Sequence, residues 1–385
     1  MPRSITDGKL WLSAVIPLYW FSLYTYTPYL TDHIVSLGAS LSYAGIVTGL
    51  YGLVQMLLRI PTGIWSDRIG RRKPFVLAGC ILSSASAFGL LLAKTPAMIL
   101  IFRCLAGAAA TCWVQISVLY TSYYKGEKAS GAVSSALALN TFGQLAGVAC
   151  GTFITIFFPV SVTFLLALVG GLLGLVFSFL VSETPHARPE GKFLQTILAD
   201  RSALFRLLSA STLAILAQIM LFGGPNGFAP RVAKVLFSAS PLQMGFLTMA
   251  STTTIVIGSR FVSPYLSKRI GIKKTLVMGF SICSLYFLTV SFLQNFTSLI
   301  LMQALYGFGQ GTVFPVLMGV AINGISEERR GVYMGVFQSV YGLGMFLGPW
   351  LVGILGDWLG LAAGFTAIGA VGLIALGMTL LLRYP

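Results

Sequence analysis

Residues 59–74 read RIPTGIWSDRIGRRKP, and residues 260–275 read RFVSPYLSKRIGIKKT. The two stretches match at seven positions with a constant offset of 201 residues. The matching pairs are Arg59/Arg260, Ser66/Ser267, Arg68/Arg269, Ile69/Ile270, Gly70/Gly271, Arg72/Lys273 and Lys73/Lys274. A second match, at an offset of 200, pairs Gly107 with Gly307, Glu127 with Glu327 and Gly131 with Gly331. The chain is therefore expected to contain two copies of one structural unit.

The sequence outside these basic stretches is strongly apolar. Hydrophobic residues make up 56% of the 385-residue chain and charged residues only 9%, whereas soluble domains carry about 25% charged residues. Apolar runs of about 20 residues, the length that crosses the hydrocarbon core of a bilayer, recur along the chain. They predict an all-α membrane protein with twelve transmembrane helices in two pseudo-symmetric six-helix bundles. The helices are predicted near 10–30, 41–61, 75–93, 97–121, 131–157, 160–182, 204–228, 241–262, 275–293, 297–323, 331–356 and 361–383.

One polar segment, rich in helix breakers, interrupts this pattern at the middle of the chain. We interpret residues 183–203 as a cytoplasmic linker between an N-terminal bundle, residues 1–182, and a C-terminal bundle, residues 204–385. Leu10–Leu30 lacks a small-residue cleavage site and is followed by further spans. It is therefore interpreted as the first transmembrane helix rather than as a signal peptide.

Lysine and arginine are distributed unevenly over the predicted connections. Of the 25 basic residues, 21 lie in alternate connections and in the two tails, three lie on the opposite side, and Arg103 lies inside a predicted helix. The positive-inside rule therefore predicts a multi-pass protein of the cell membrane with both termini in the cytoplasm. This topology and contact with anionic membrane lipid explain the net charge of +15, so we expect no nucleic-acid partner.

Cysteine and histidine show no pattern of a metal site or of nucleophilic catalysis. The five cysteines lie inside apolar spans without CxxC or Cys/His spacing, and the two histidines, His33 and His186, lie at span edges. We therefore expect no metal site, no cofactor and no enzymatic activity.

The loop after the second predicted helix reads Gly63-Ile-Trp-Ser-Asp67-Arg68-Ile-Gly70-Arg71-Arg72-Lys73. It resembles the G-x-x-x-D-R-x-G-R-R/K signature of the major facilitator superfamily, and the chain is similar to the drug-efflux branch of that family. The resemblance implies that this loop closes the cytoplasmic side of a transporter. Its gating residues would be Gly63, Asp67, Arg68, Gly70, Arg71 and Arg72.

In the family, the acid of this loop pairs with basic side chains and with the start of a helix in the other half. For Asp67 that helix start would lie near Gly331, where unpaired N–H groups favour an anion. The alternative is a basic loop that sets the topology and holds a locally paired acid. The second copy has Pro264 and Lys268 in place of the first glycine and the acid, so a latch is expected from the first copy only.

Arg103 lies in the fourth predicted helix, four residues before Gly107, and this spacing resembles the R-x-x-x-G pattern of the family. An arginine in hydrocarbon is costly and normally faces a cavity or a partner. Thr111 and Gln115 follow at i+4 steps, which predicts one polar face on this helix. We interpret Arg103 as a group that binds anions or takes part in proton coupling. The alternative is a guanidinium that caps carbonyl groups or extends to the outer interface.

In the family, the first, fourth, seventh and tenth helices line a central cavity. The resemblance therefore implies that polar and aromatic side chains of these helices contact the substrate. The candidates are Trp20, Tyr24, Arg103, Thr111, Gln115, Gln218, Asn226, Gln303 and Gln310. A glutamine within a span can instead serve only to join helices. The glycines of Gly223–Gly227 are expected to break the seventh helix near its outer end.

None of the ten acidic residues lies deep within a predicted span. Asp32 and His33, at an outer helix end, are the candidates for proton coupling together with Arg103. We predict a monomeric secondary transporter for a small, amphipathic, neutral or anionic organic solute, with export favoured and protons as the candidate coupling ion. The alternatives are an uptake carrier or facilitator for an organic anion and, third, a substrate-sensing membrane receptor of the same fold.

Overall fold

A computed structural model describes residues 5–124, 128–183 and 200–382, and these ranges are helical with short connections and no strand. Most of the predicted linker 183–203 and the ends of both tails lie outside the described residues. The α-helices are α1 (Ile5–Tyr24), α2 (Thr27–Ser36), α3 (Leu41–Ile69), α4 (Lys73–Leu92), α5 (Pro96–Thr111), α6 (Trp113–Ser122), α7 (Lys128–Ile154), α8 (Val162–Leu180), α9 (Arg201–Gly223), α10 (Ala229–Phe237), α11 (Pro241–Ile257), α12 (Ser263–Arg269), α13 (Ile272–Thr289), α14 (Phe296–Ala321), α15 (Glu327–Leu359) and α16 (Leu361–Leu381).

Within the described ranges, ten helical runs are long and apolar enough to cross a membrane. Helices α1 and α11 are not among the ten; α11 has 17 residues, and a span needs about 20. Large apolar side chains such as Phe157, Phe292 and Leu381 are exposed on the surface, which suits lipid rather than water as the solvent. The all-helical membrane fold is confirmed, and the total of twelve spans stays a prediction.

Two predicted helices are each divided into two in the structure. The single helix predicted over 10–30 is two helices, because α1 ends at Tyr24 and α2 begins at Thr27. Pro28 stands in the first turn of α2, where the missing N–H costs nothing. The helix predicted over 97–121 is interrupted at Cys112, between α5 and α6.

The α-helix α9 ends at Gly223, as predicted, and the backbone of Gly224 leaves the helical region with φ −100° and ψ −103°. A π-helical turn, Gly224–Phe228, then joins α9 to α10, which was not predicted. A second π-turn, Gly258–Val262, joins α11 to α12 in the same way.

Packing separates the described residues into two compact units. The first unit contains those of 1–27 and 57–190. In it, α1 packs against α7 and α8, and α4 packs against α5 and α8. A methyl group added at Gly143 or Gly151 of α7 would collide with the carbonyl oxygen of Pro17 or Thr25. The glycines of α7 therefore allow close helix approach.

The second unit contains the described residues of 28–56 and 191–385. In it, α9 packs against α14 and α15, and α13 packs against α14 and α16. Gly344 and Gly348 of α15 lie directly against the backbone of α9, where side chains would collide with the carbonyl oxygens of Ile215 and Ile219. The division of the chain into halves 1–182 and 204–385 stays a prediction.

Candidate functional site

Arg103 on α5 is buried inside the first unit, with 3% of its surface exposed. Its Nη1 donates a hydrogen bond to the Tyr26 hydroxyl at 3.3 Å, and the guanidinium carbon lies 5.9 Å from the centre of the same ring. The Tyr26 ring in turn packs against Phe164 of α8 at 5.4 Å. The guanidinium is thus held by a phenol and shielded from lipid by the side chains of its own unit.

An aromatic cluster lies between α1 and α6 in the first unit. The Trp20 ring lies 5.7 Å from Tyr24 and 5.5 Å from Trp113, in an edge-to-face arrangement with Trp113. Trp20 is buried, and its Nε1–H has no hydrogen-bond partner within the described part of the chain. Such a donor is costly to bury alone, so it is a candidate contact for a bound solute.

The polar face predicted from Arg103 through Gln115 is interrupted at Cys112, because α5 ends there and α6 starts anew. The Thr111 hydroxyl donates to the carbonyl of Gly107 in its own helix at 3.1 Å. Gln115 is 1% exposed, and neither its amide nitrogen nor its amide oxygen has a partner among the described residues. Gln115 therefore offers both a donor and an acceptor to a ligand.

Two glutamines of the second unit are brought together. The Gln310 amide nitrogen on α14 lies 3.5 Å from the carbonyl oxygen of Ala217, which precedes Gln218 on α9. Both side chains are buried, and the Oε1 atoms of Gln218 and Gln310 have no partner in the described ranges. The two glutamines therefore offer two buried acceptors. Asn226 lies nearby in sequence, half-buried in the π-turn.

Gln303 has a different environment. Its Oε1 accepts a hydrogen bond from Tyr286 at 2.7 Å, and its Nε2 donates to the carbonyl of Leu247 at 2.9 Å and to Ser251 at 3.3 Å. The side chain is fully buried. The amide is therefore occupied in joining α14 to α11 and α13, and this geometry favours the helix-joining role over substrate contact.

Asp32, a coupling candidate, lies in a cluster of charges in the second unit. Its carboxylate accepts from Nη1 of Arg231 and, at 2.7 Å, from Nζ of Lys234. The neighbouring His33 is half-buried, and burial lowers its pKa although the Asp32 carboxylate opposes the shift. Asp32 thus holds two basic side chains of the segment that follows α9.

The predicted gating residues lie at the end of α3 and in the short connection to α4: Gly63, Asp67 and Arg68 belong to the helix, and Gly70, Arg71 and Arg72 follow it. Gly70 follows the last residue of α3 with φ +69°, a backbone conformation that residues with a side chain rarely adopt. The Asp67 carboxylate lies 3.9 Å from the Arg72 guanidinium and is 46% exposed. Gly63 is half-buried within α3, whereas Arg68 and Arg71 are exposed. Asp67 therefore has a local partner in this structure, and its predicted latching role stays a prediction.

Glu183 is a residue of this region that sequence reasoning missed. Its carboxylate accepts from the backbone N–H groups of Arg72 and Lys73, at 2.6 and 2.8 Å, and so caps the start of α4. Burial lowers the pKa of the Arg72 guanidinium, and the carboxylates of Asp67 and Glu183 oppose this shift. One feature of the sequence could have indicated this role. Glu183 is an acid directly after an apolar span, on the same predicted side of the membrane as the basic loop.

The family model of the Major Facilitator Superfamily matches residues 12–296 and 214–385. The tetracycline resistance protein, class B, of Escherichia coli is 26% identical over 328 residues, which cover 82% of this chain and 79% of that protein.

Solved transporters share the fold. A bacterial homolog to the human lysosomal transporter Spinster, in an inward-facing and unoccupied conformation, superposes with a TM-score of 0.77 at 17% identity, covering 98% of this chain and 96% of that one. The human organic anion transporter MFSD10 superposes with a TM-score of 0.69 at 18% identity, covering 97% and 98%. At these identities the likeness shows the fold alone.

Proposed function

The chain belongs to the major facilitator superfamily, a family of membrane-embedded transporters, and from this we propose that it is a secondary transporter that exports a small, amphipathic, neutral or anionic organic solute. It would work by alternating access, in which a site near the middle of the membrane opens to one side at a time.

One observation carries the substrate class. The buried amides of Gln115, Gln218 and Gln310 leave donors and acceptors without partners in the described ranges, and no acidic residue lies deep within a predicted span. Buried polar groups are normally paired, so in each unit these amides suit uncharged hydrogen-bonding groups of a ligand. In the first unit, Trp20 and Tyr24 add aromatic surface that suits an apolar group.

The proposed architecture has twelve spans in two six-helix halves, residues 1–182 and 204–385, joined by the linker 183–203. The repeat at offsets of 200 and 201 supports it, as do the ten observed membrane-length helical runs. We further propose a monomer in the cell membrane with both termini in the cytoplasm, on the distribution of lysine and arginine. Asp67 and the loop around it would close the cytoplasmic side.

The second candidate function is an uptake carrier or facilitator for an organic anion. Arg103 favours it, because it is a buried cation in the fourth predicted span and donates to the hydroxyl of Tyr26. A carboxylate of a substrate would bind such a guanidinium more strongly than a phenol does. Proton coupling through Asp32 and His33 has less support, since Asp32 already holds Arg231 and Lys234.

Flux into proteoliposomes tests both functions. The purified protein would be assayed with tetracycline as an amphipathic probe and with benzoate as an organic anion, each with and without a pH gradient. Export predicts tetracycline accumulation driven by the gradient and lost in Gln115→Leu, while benzoate moves at the rate of empty liposomes. Benzoate flux that needs Arg103 and no gradient would establish the anion facilitator instead. Flux of neither probe above that of empty liposomes would contradict both substrate assignments.

A further inference from the structure

The carboxylate of Asp357, near the end of α15, caps the start of α3. Its Oδ1 accepts the backbone N–H of Leu41 at 2.9 Å, and its Oδ2 accepts that of Ser42 at 2.8 Å. The first N–H groups of a helix have no partner within the helix and carry partial positive charge. Both oxygens of one acid thus satisfy an α3 terminus that lies more than 300 residues away in the chain.

Next to the capped terminus, α3 and α15 pack closely against each other. Side chains at Gly353 and Gly45 would collide with the carbonyl oxygens of Leu41 and Pro349, and a side chain at Gly49 would lie 2.7 Å from the Phe346 carbonyl oxygen. All of these residues belong to the second unit. Asp357 itself is exposed to solvent. Water can therefore replace its hydrogen bonds if the helices separate, which a reversible contact requires.

We propose that Asp357 is a gating residue of the predicted outer side. It holds the start of α3 on the end of α15 when that side is closed and releases it when that side opens. This inference rests on the proposed alternating access and not on the substrate. It makes Asp357 the counterpart of Asp67, which stands near the other end of α3 and is predicted to reach the start of α15.

A second set of contacts lies at the same predicted end of the helices. The Thr31 hydroxyl donates to the carbonyl of Gly227 at 2.8 Å, and Asp32 holds Arg231 and Lys234. Residues that follow α1 are thereby tied to the segment that follows α9. The outer acids Asp32 and Asp357 thus both bind groups that are distant in the chain, and Asp357 is the one that binds backbone.

Cysteine labelling from the outer side tests the proposal. Thr48 on α3 is 2% exposed and lies along the α3 segment that Asp357 anchors. In Thr48→Cys, a membrane-impermeant maleimide is expected to react slowly, with the labelling of the parent protein subtracted for its native cysteines. Adding Asp357→Asn should raise the rate about fivefold, the factor that corresponds to loss of a helix cap.

Asp200→Asn is the matched control, because Asp200 caps its own helix at Ser202 and Ala203, at 2.8 and 3.1 Å. It should leave labelling at Thr48→Cys unchanged. Leu41→Pro is an independent second variant, since it removes one N–H that Asp357 accepts at the first helical position, where proline is tolerated. It should raise labelling in the same direction while the melting temperature shows that the protein remains folded.

Unchanged labelling in both Asp357→Asn and Leu41→Pro would overturn the assignment of Asp357. Asp67→Asn then shows whether only the outer latch or the whole proposal of alternating access has failed. If it changes cytoplasmic labelling while the Asp357 variants change nothing, only the outer latch is refuted. If neither acid affects labelling on either side, the proposed alternating access falls as well.

Discussion

The guanidinium of Arg103 donates to the hydroxyl of Tyr26 at 3.3 Å, across 77 residues of sequence. The guanidinium carbon also lies 5.9 Å from the centre of the Tyr26 ring, so one side chain offers the charge both a hydrogen bond and a cation–π contact. Only 3% of the Arg103 surface is exposed. The positive charge of Arg103 therefore lies inside the first unit rather than in lipid.

Arg103→Ala is expected to lower transport about tenfold or more, the size of a lost hydrogen bond to a charged group. Arg103→Lys keeps the charge but loses the planar fork, so it should be intermediate. Ile101→Ala is the matched control, since Ile101 is on the same helix and 58% exposed. Flux of the best substrate in proteoliposomes measures the difference. Wild-type flux in Arg103→Ala would leave a structural role only.

Gln115 and Gln303 should respond oppositely to replacement by leucine. Gln303→Leu leaves the buried Tyr286 hydroxyl without its acceptor and should cost about 1–3 kcal/mol of stability. Gln115→Leu removes two buried polar atoms that have no partner in the described ranges, so it should leave stability equal or higher while raising KM. Thermal unfolding and substrate titration of both variants check this. Equal loss of stability in both would contradict the distinction.

Asp67→Asn is expected to shift the protein toward inward-open states. The carboxylate is 46% exposed, and an exposed ion pair with Arg72 is worth only about 0–1 kcal/mol. A purely local role would therefore cost little. If Asp67 latches the start of α15, the substitution should slow turnover with little change in substrate affinity and speed labelling of cavity cysteines from the cytoplasmic side. Unchanged labelling and turnover would show that Asp67 is not a gate.

His33 should make stability depend on pH. Burial lowers its pKa below the ordinary value of 6.5, so the unfolded chain binds the proton more readily than the folded one. The contribution of His33 to the free energy of unfolding is fully present above pH 6.5, the pKa of the unfolded state. It declines as the pH falls from there toward the lowered pKa of the folded state. Melting temperatures between about pH 7 and 5 should show this decline. The slope should be smaller in His33→Gln, and an identical slope would exclude His33 as its source.

The sequence alone was sufficient to predict that the protein lies in lipid, that it is all-helical and which family it belongs to. The membrane environment and the fold follow from apolar runs of membrane length and a low charge content. The family follows from the motif between Gly63 and Lys73. The close approach of Gly143 and Gly151 to α1 was also predictable, because small residues at four-residue spacing lie on one helix face. These properties are local, and a local pattern can be read without the fold.

Helix irregularities were predicted less well. Gly223–Gly227 has the composition of a helix break, and α9 ends there, but the π-turn that connects it to α10 was not predicted. The sequence at the interruption at Cys112 contains no proline or glycine that would indicate a break. Local composition therefore locates only one of these two irregularities.

The roles of individual polar residues were decided by tertiary structure alone. Gln115 and Gln303 look equivalent in the sequence, but Gln303 finds partners more than 50 residues earlier on α11 and Gln115 finds none in the described ranges. Asp357 acquires its cap on α3 from residues 315 and 316 positions away. The sequence therefore determined which groups are buried in a membrane, because burial follows from average hydrophobicity. Which of them are satisfied depends on hydrogen bonds between distant segments, and those bonds exist only once the helices have packed.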